Sequence, residues 1–109
     1  MKVIKQSRDY TKKELYQIIH NKHMSLKDVP TDAKLEMRDY IIYEDDKSTE
    51  VAVMFVDSDN GQFTVSTTSP SAIRDLVEAV DFFETSVLTL ALRRSQSKAG
   101  RTFMTLEVI

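Results

Sequence analysis

Four basic side chains crowd the stretch from residue 93 to 101: Arg93, Arg94, Lys98 and Arg101, with no acid among them. Cations grouped in this way suit the phosphates of a nucleic-acid backbone, whose binding is led by neutralised charge. Binding a single strand also requires rings on which bases can stack. The candidate rings are Tyr40, Tyr43, Phe55 and Phe103, and Lys34, Arg38 and the N-terminal lysines extend the basic track. Lys98-Ala99-Gly100-Arg101 reads as a flexible tip able to fold over a backbone, and replacing the four cations by Ala is expected to abolish binding and spare the fold. Phe63 and Phe83 read as core.

Catalytic chemistry finds little to work with. The only two histidines, His20 and His23, are three residues apart at the end of a predicted helix, without an obvious third ligand for a metal. They read as a solvated helix end, where positive charge is favourable. No GxSxG, HExxH or P-loop occurs, and Gly61 and Gly100 are the only glycines, so no glycine-rich phosphate loop can form. Asp45, Asp46, Asp57 and Asp59 lack the spacing of an EF-hand and read as solubilising charges at hairpin tips. No catalytic residue, metal ligand or cofactor is expected.

The elements that position these groups follow from periodicity. A short arm over residues 1–10, with a strand-like Val3-Ile4, precedes a helix over 11–22. Thr11-Lys12-Lys13-Glu14 is a capping box, and Leu15, Ile18 and Ile19 mark one face of the helix. This accessory helix is expected to pack on the main body or close one end of it. Residues 25–30 form a connector with room for a helical turn, ended by Pro30. Alternation then predicts strands over 35–43, 50–56 and 62–67, a helix over 70–84, and strands over 87–94 and 102–108. A phase change near Asp39 or Tyr40 predicts a bulge in the first strand. Asn60-Gly61 favours a hairpin turn, and Ser69-Pro70 starts the second helix. Ile73, Leu76, Val77, Val80 and Phe83 form its core stripe, with Asp75, Glu78, Asp81 and Glu84 facing solvent.

The order β-β-β-α-β-β over residues 34–109 is that of a five-stranded OB-fold barrel, mainly β, with the N-terminal helix added. In that architecture the basic 95–101 loop forms one lip of the ligand groove, and the second and third strands form its floor.

Size and composition agree with one such domain over residues 1–109. About 41% hydrophobic residues allow one core, and no cysteine is present for disulfides or thiolate chemistry. No run approaches the roughly 18 apolar residues of a membrane span, and no signal peptide is legible, so a cytoplasmic location is expected. The net charge of −2 is not that of a typical basic module. The distribution is bipolar: cations at both ends, acids at Glu44-Asp45-Asp46 and Asp57–Asp59.

The chain resembles the small single-stranded DNA-binding proteins of phages and mobile elements of low-GC Gram-positive bacteria. The resemblance lies in Tyr10-Thr11-Lys12-Lys13-Glu14-Leu15-Tyr16, Tyr40-Ile41-Ile42-Tyr43-Glu44-Asp45, Thr67-Thr68-Ser69-Pro70 and Ser97-Lys98-Ala99-Gly100-Arg101-Thr102-Phe103. It implies an OB-fold, sequence-tolerant binding of single-stranded DNA, a homodimer or larger assembly, and a role in replication or recombination beside proteins of those processes. The apolar ending Leu106-Glu107-Val108-Ile109 departs from the acidic tail with which cellular single-strand binders recruit partners. The competing expectation is a protein-interaction module, an inhibitor of a host enzyme docking through its acidic tips and acidic helix face. A metal-dependent nuclease is disfavoured by the lack of clustered histidines and carboxylates.

Overall fold

The strand Lys34–Glu44 is the spine of the molecule, because three other strands pair with it. The computed structural model describes residues 1–109. Its elements in chain order are β1 (Lys2–Gln6), α1 (Lys12–His20), β2 (Met24–Ser25), a 3₁₀ turn (Leu26–Asp28), β3 (Lys34–Glu44), β4 (Glu50–Ser58), β5 (Gly61–Thr67), α2 (Pro70–Phe83), β6 (Leu88–Gln96) and β7 (Thr102–Val108). Together they make a mainly β architecture, one curled mixed sheet of seven strands with two helices. The strand order is β2-β5-β4-β3-β6-β7, and β1 joins at β3. All pairings are antiparallel except the short parallel contact between β2 and β5.

One edge of β3 runs along β4, and its other edge is shared. Lys34–Met37 pair with β6, and Ile41–Glu44 pair with β1. The predicted bulge lies between these halves, where the β3–β4 register shifts between Met37 and Asp39. An extra residue flips the inward phase of a strand. Leu35 and Met37 face the main core before the shift, and Tyr40 and Ile42 face it afterwards, while Ile41 and Tyr43 turn to the outer face. This is why Tyr40–Tyr43 is apolar at every position. The segment expected to be an arm is largely a sheet strand, because β3 outruns β6 and leaves a free edge for β1.

Two apolar clusters result. The inner one gathers β3 to β7 around Ile73, Leu76 and Val80 of α2, closed below by Leu26 and Val29. The outer, smaller one places Ile18 of α1 on Ile41, Tyr43 and Val53, with Tyr10, Leu15 and Phe55 around it. The accessory helix therefore packs on the outside of β3 and β4. It is anchored by the predicted capping box, with both reciprocal Thr11–Glu14 bonds present.

The helix α2 is less simply amphipathic than its periodicity predicts. Ala72, Ile73, Leu76 and Val80 are buried, but Phe83 is exposed because the helix ends there, with Glu84 in the left-handed conformation at φ 54°. Asp75 does not face free solvent either. Its carboxylate accepts from the Leu106 amide at 3.0 Å, and the Ser71 hydroxyl donates to the Met104 carbonyl at 2.5 Å. Side chains of α2 thus satisfy the outer edge of β7. No β5–β7 ladder forms, and a seam is left between those strands.

Candidate nucleic-acid interface

The seam between β5 and β7 is where several of the sequence-predicted groups meet. Two adjoining hollows of about 360 and 440 Å³ share Lys27, Ser69, Pro70 and Met104. Hydroxyls from Ser66, Thr67, Thr68 and Thr102 line their walls, and Arg94 and Phe103 close the β7 side. The N-cap of α2 fixes one wall: Ser69 Oγ accepts from the Ala72 amide, and Thr67 Oγ1 accepts from the Ser69 amide. Phe103 is 37% exposed and is the one predicted ring that presents itself to this groove.

The four clustered cations divide by partner. Arg93 Nε donates to Glu107 at 3.0 Å and its Nη1 donates to Asp32, so two carboxylates surround one charge. These bonds, Glu107 first, raise the Arg93 pKa above its ordinary value and hold it away from any further anion. Arg94 bonds only neutral acceptors: Thr31 Oγ1 at 2.5 Å, the Lys27 carbonyl at 3.0 Å and the Val29 carbonyl at 2.7 Å. Its charge stays uncompensated, but the side chain also pins the 27–31 connector. Replacing Arg94 therefore also removes three bonds to the 27–31 connector. Lys98 and Arg101 make no ion pair and are exposed on the β6–β7 turn.

That turn is hydrogen-bonded within itself. Ser97 and Arg101 are joined by a backbone bond of 2.8 Å, Gly100 N–H donates to the Ser97 carbonyl, and Gly100 supplies the positive φ of 79°. Strand pairing also continues to Gln96, two residues past the predicted end.

The remaining predicted groups lie elsewhere. Arg38 is clamped on Asp57, with Nε and Nη2 both near one carboxylate oxygen at 3.0 and 2.9 Å. Lys34 is exposed and unpaired at the start of β3. Tyr40 is only 4% exposed within the inner core, and Tyr43 is buried under α1, so neither ring is available to a base in this conformation. Burial raises the pKa of both phenols. Phe55 is half-buried on the outer face, nearly parallel to Tyr10 at 6.0 Å. The basic N-terminus is partly neutralised, since Lys5 pairs with Asp81 at 2.8 Å and Arg8 with Glu14 at 2.7 Å.

Sequence reasoning missed Lys27, Ser69 and Thr102, which join the groove only because β2 docks on β5 and α2 on β7. No spacing in the chain signals either contact. His23 is also not a solvated helix end. Its ring bridges Thr64 Oγ1 at 2.5 Å and the Ile18 carbonyl at 2.6 Å, tying α1 to β5.

No known protein family, curated protein or solved structure matches this chain. No helix is long and apolar enough to cross a membrane.

Proposed function

We propose that the protein is a non-enzymatic binder of single-stranded DNA built on an OB-like barrel. The carrying observation is the pair of free cations, Lys98 and Arg101, at the tip of the hairpin whose strands also present Arg94 and Phe103 to the seam groove. Phosphates meet Lys98, Arg101, Arg94 and Lys27, and a base stacks on Phe103. The curled mixed sheet, with its five main strands in the order β5-β4-β3-β6-β7 and its last closure left open, supports the barrel reading. The resemblance to phage and mobile-element proteins points to replication or recombination as the setting, and to a homo-oligomer in the host cytoplasm. The test is oligo-dT affinity of a Lys98→Ala/Arg101→Ala variant. Binding equal to the parent would remove this site.

One observation favours a second reading, a module that docks a protein. Phe82 is 80% exposed and edge-on to Phe83 at 5.0 Å. Adjacent large apolar side chains exposed together are the kind of surface a protein contact buries. Glu78 and Glu84 remain free around them, whereas Asp75 and Asp81 are already engaged. The partner would carry a basic, apolar surface. A Phe82→Ser variant that still holds a stoichiometric, nuclease-resistant partner would exclude this patch.

A further inference from the structure

Beneath α1 lies a second pocket, of about 170 Å³, that the basic groove does not use. It is walled by Phe55 and Thr64 of the sheet, by Tyr10 of the N-terminal segment, and by Gln17 and Asn21 of α1 and its end. This is below the roughly 300–1,000 Å³ of a drug-sized site and suits a single ring. Its electrostatics differ from those of the seam. Arg8 is over the Tyr10 ring at 4.1 Å, but Glu14 offsets its charge, and His23 is already bonded on both ring nitrogens. The pocket thus carries no net charge, one aromatic wall, and two carboxamides whose side chains make no hydrogen bond within the protein. A phosphate finds no excess cation there. A flat, uncharged heteroaromatic ring with donors and acceptors along its edge finds both a stacking surface and polar partners.

We propose that this pocket receives one unstacked base of the bound strand, with Phe55 as its platform and Gln17 and Asn21 meeting its edge. The proposal rests on the single-strand reading above. Position supports it: Thr64 lines the pocket, and Ser66, two residues along the same face of β5, lines the seam groove. Two strand residues span about 7 Å, close enough for neighbouring nucleotides to occupy both sites. The N-terminal segment and α1 then form part of the binding surface and are more than a cover for the barrel.

The test titrates the ¹⁵N-labelled full chain with oligo-dT and with an abasic deoxyribose-phosphate oligomer of equal length. The side-chain amide signals of Gln17 and Asn21 shift with oligo-dT and stay still with the abasic oligomer. A Gln17→Ala/Asn21→Ala variant, altered at two exposed positions, loses about tenfold in oligo-dT affinity, the worth of about one or two neutral hydrogen bonds, and none in abasic affinity. Phe55→Leu keeps an apolar side chain in the outer cluster and loses about fivefold or more. Equal shifts with both oligomers, or a double variant that binds oligo-dT like the parent, overturns the base pocket and leaves the seam site standing. If neither oligomer binds, both sites are overturned.

Discussion

Lys98, Arg101 and Arg93 are close in sequence yet differ in what surrounds them, and this decides what each can do. Arg93 already has two carboxylate partners, whereas Lys98 and Arg101 have none. Removing the latter two should lower the slope of log affinity against log salt by about 1.4, at roughly 0.7 per phosphate contact on a single strand. Thermal stability should barely change, because both side chains are exposed on a surface turn. Arg93→Ala should leave the salt slope unaltered, which titrations at several salt concentrations would check. Glu14 carries a different consequence. The hydrogen bond from Arg8 first, and then that from the Thr11 amide, lowers its pKa to about 2 from 4.5. A carboxylate depressed on folding stabilises the native state above its unfolded pKa, and that contribution is lost as pH falls from about 4.5 to about 2. Glu14→Gln should therefore flatten the acid limb of the stability curve in that window, as read by urea unfolding at several pH values. Which cations were free could not be read in sequence. Asp32 and Glu107 lie 61 and 14 residues from Arg93, and only the fold brings them together.

The elements themselves were far more legible. Periodicity located both helices and the five main strands, the capping box at Thr11 and the bulge near Asp39, because each is a local consequence of side-chain pattern. What escaped were contacts between elements: β1 on β3, β2 on β5 and the α2 tie to β7. Tyr40 and Tyr43 show how two of the four predicted rings come to be buried. The bulge turns one into the inner core and leaves the other under α1, and alternation alone does not say which outer face a helix will cover. The tie between α2 and β7 is testable at this scale. Asp75→Ala leaves the amide of the buried Leu106 without its partner, which should cost about 1–3 kcal/mol. Chemical denaturation would measure it, and hydrogen exchange should locate the loss at the outer edge of β7. A variant as stable as the parent would mean that water replaces the carboxylate and that α2 does not seal this edge.

At the level of the whole molecule, charge is mixed along β3: Asp57 pairs with Glu36 near Lys34, and Lys2 pairs with Glu44 at the other end. The acidic β3–β4 turn follows Glu44, at the far end of β3 from Lys34 and its partner strand β6. Around the β6–β7 turn and the seam, Lys27, Arg94, Lys98 and Arg101 have no acidic partner. A net charge of −2 is therefore compatible with a local phosphate-binding surface. Inner-core substitutions should act on folding alone: Leu76→Ala, fully buried between α2 and the sheet, should cost about 2–5 kcal/mol without changing the salt slope of whatever folded protein remains. Single-strand binding is read most directly by fluorescence anisotropy of a labelled oligo-dT about 30 nucleotides long, titrated at low and moderate salt against a duplex competitor. Saturable binding to the single strand, weak competition by duplex and a steep loss of affinity as salt rises are expected. Flat anisotropy at micromolar protein in low salt would contradict single-strand binding and leave the exposed Phe82 surface as the functional face.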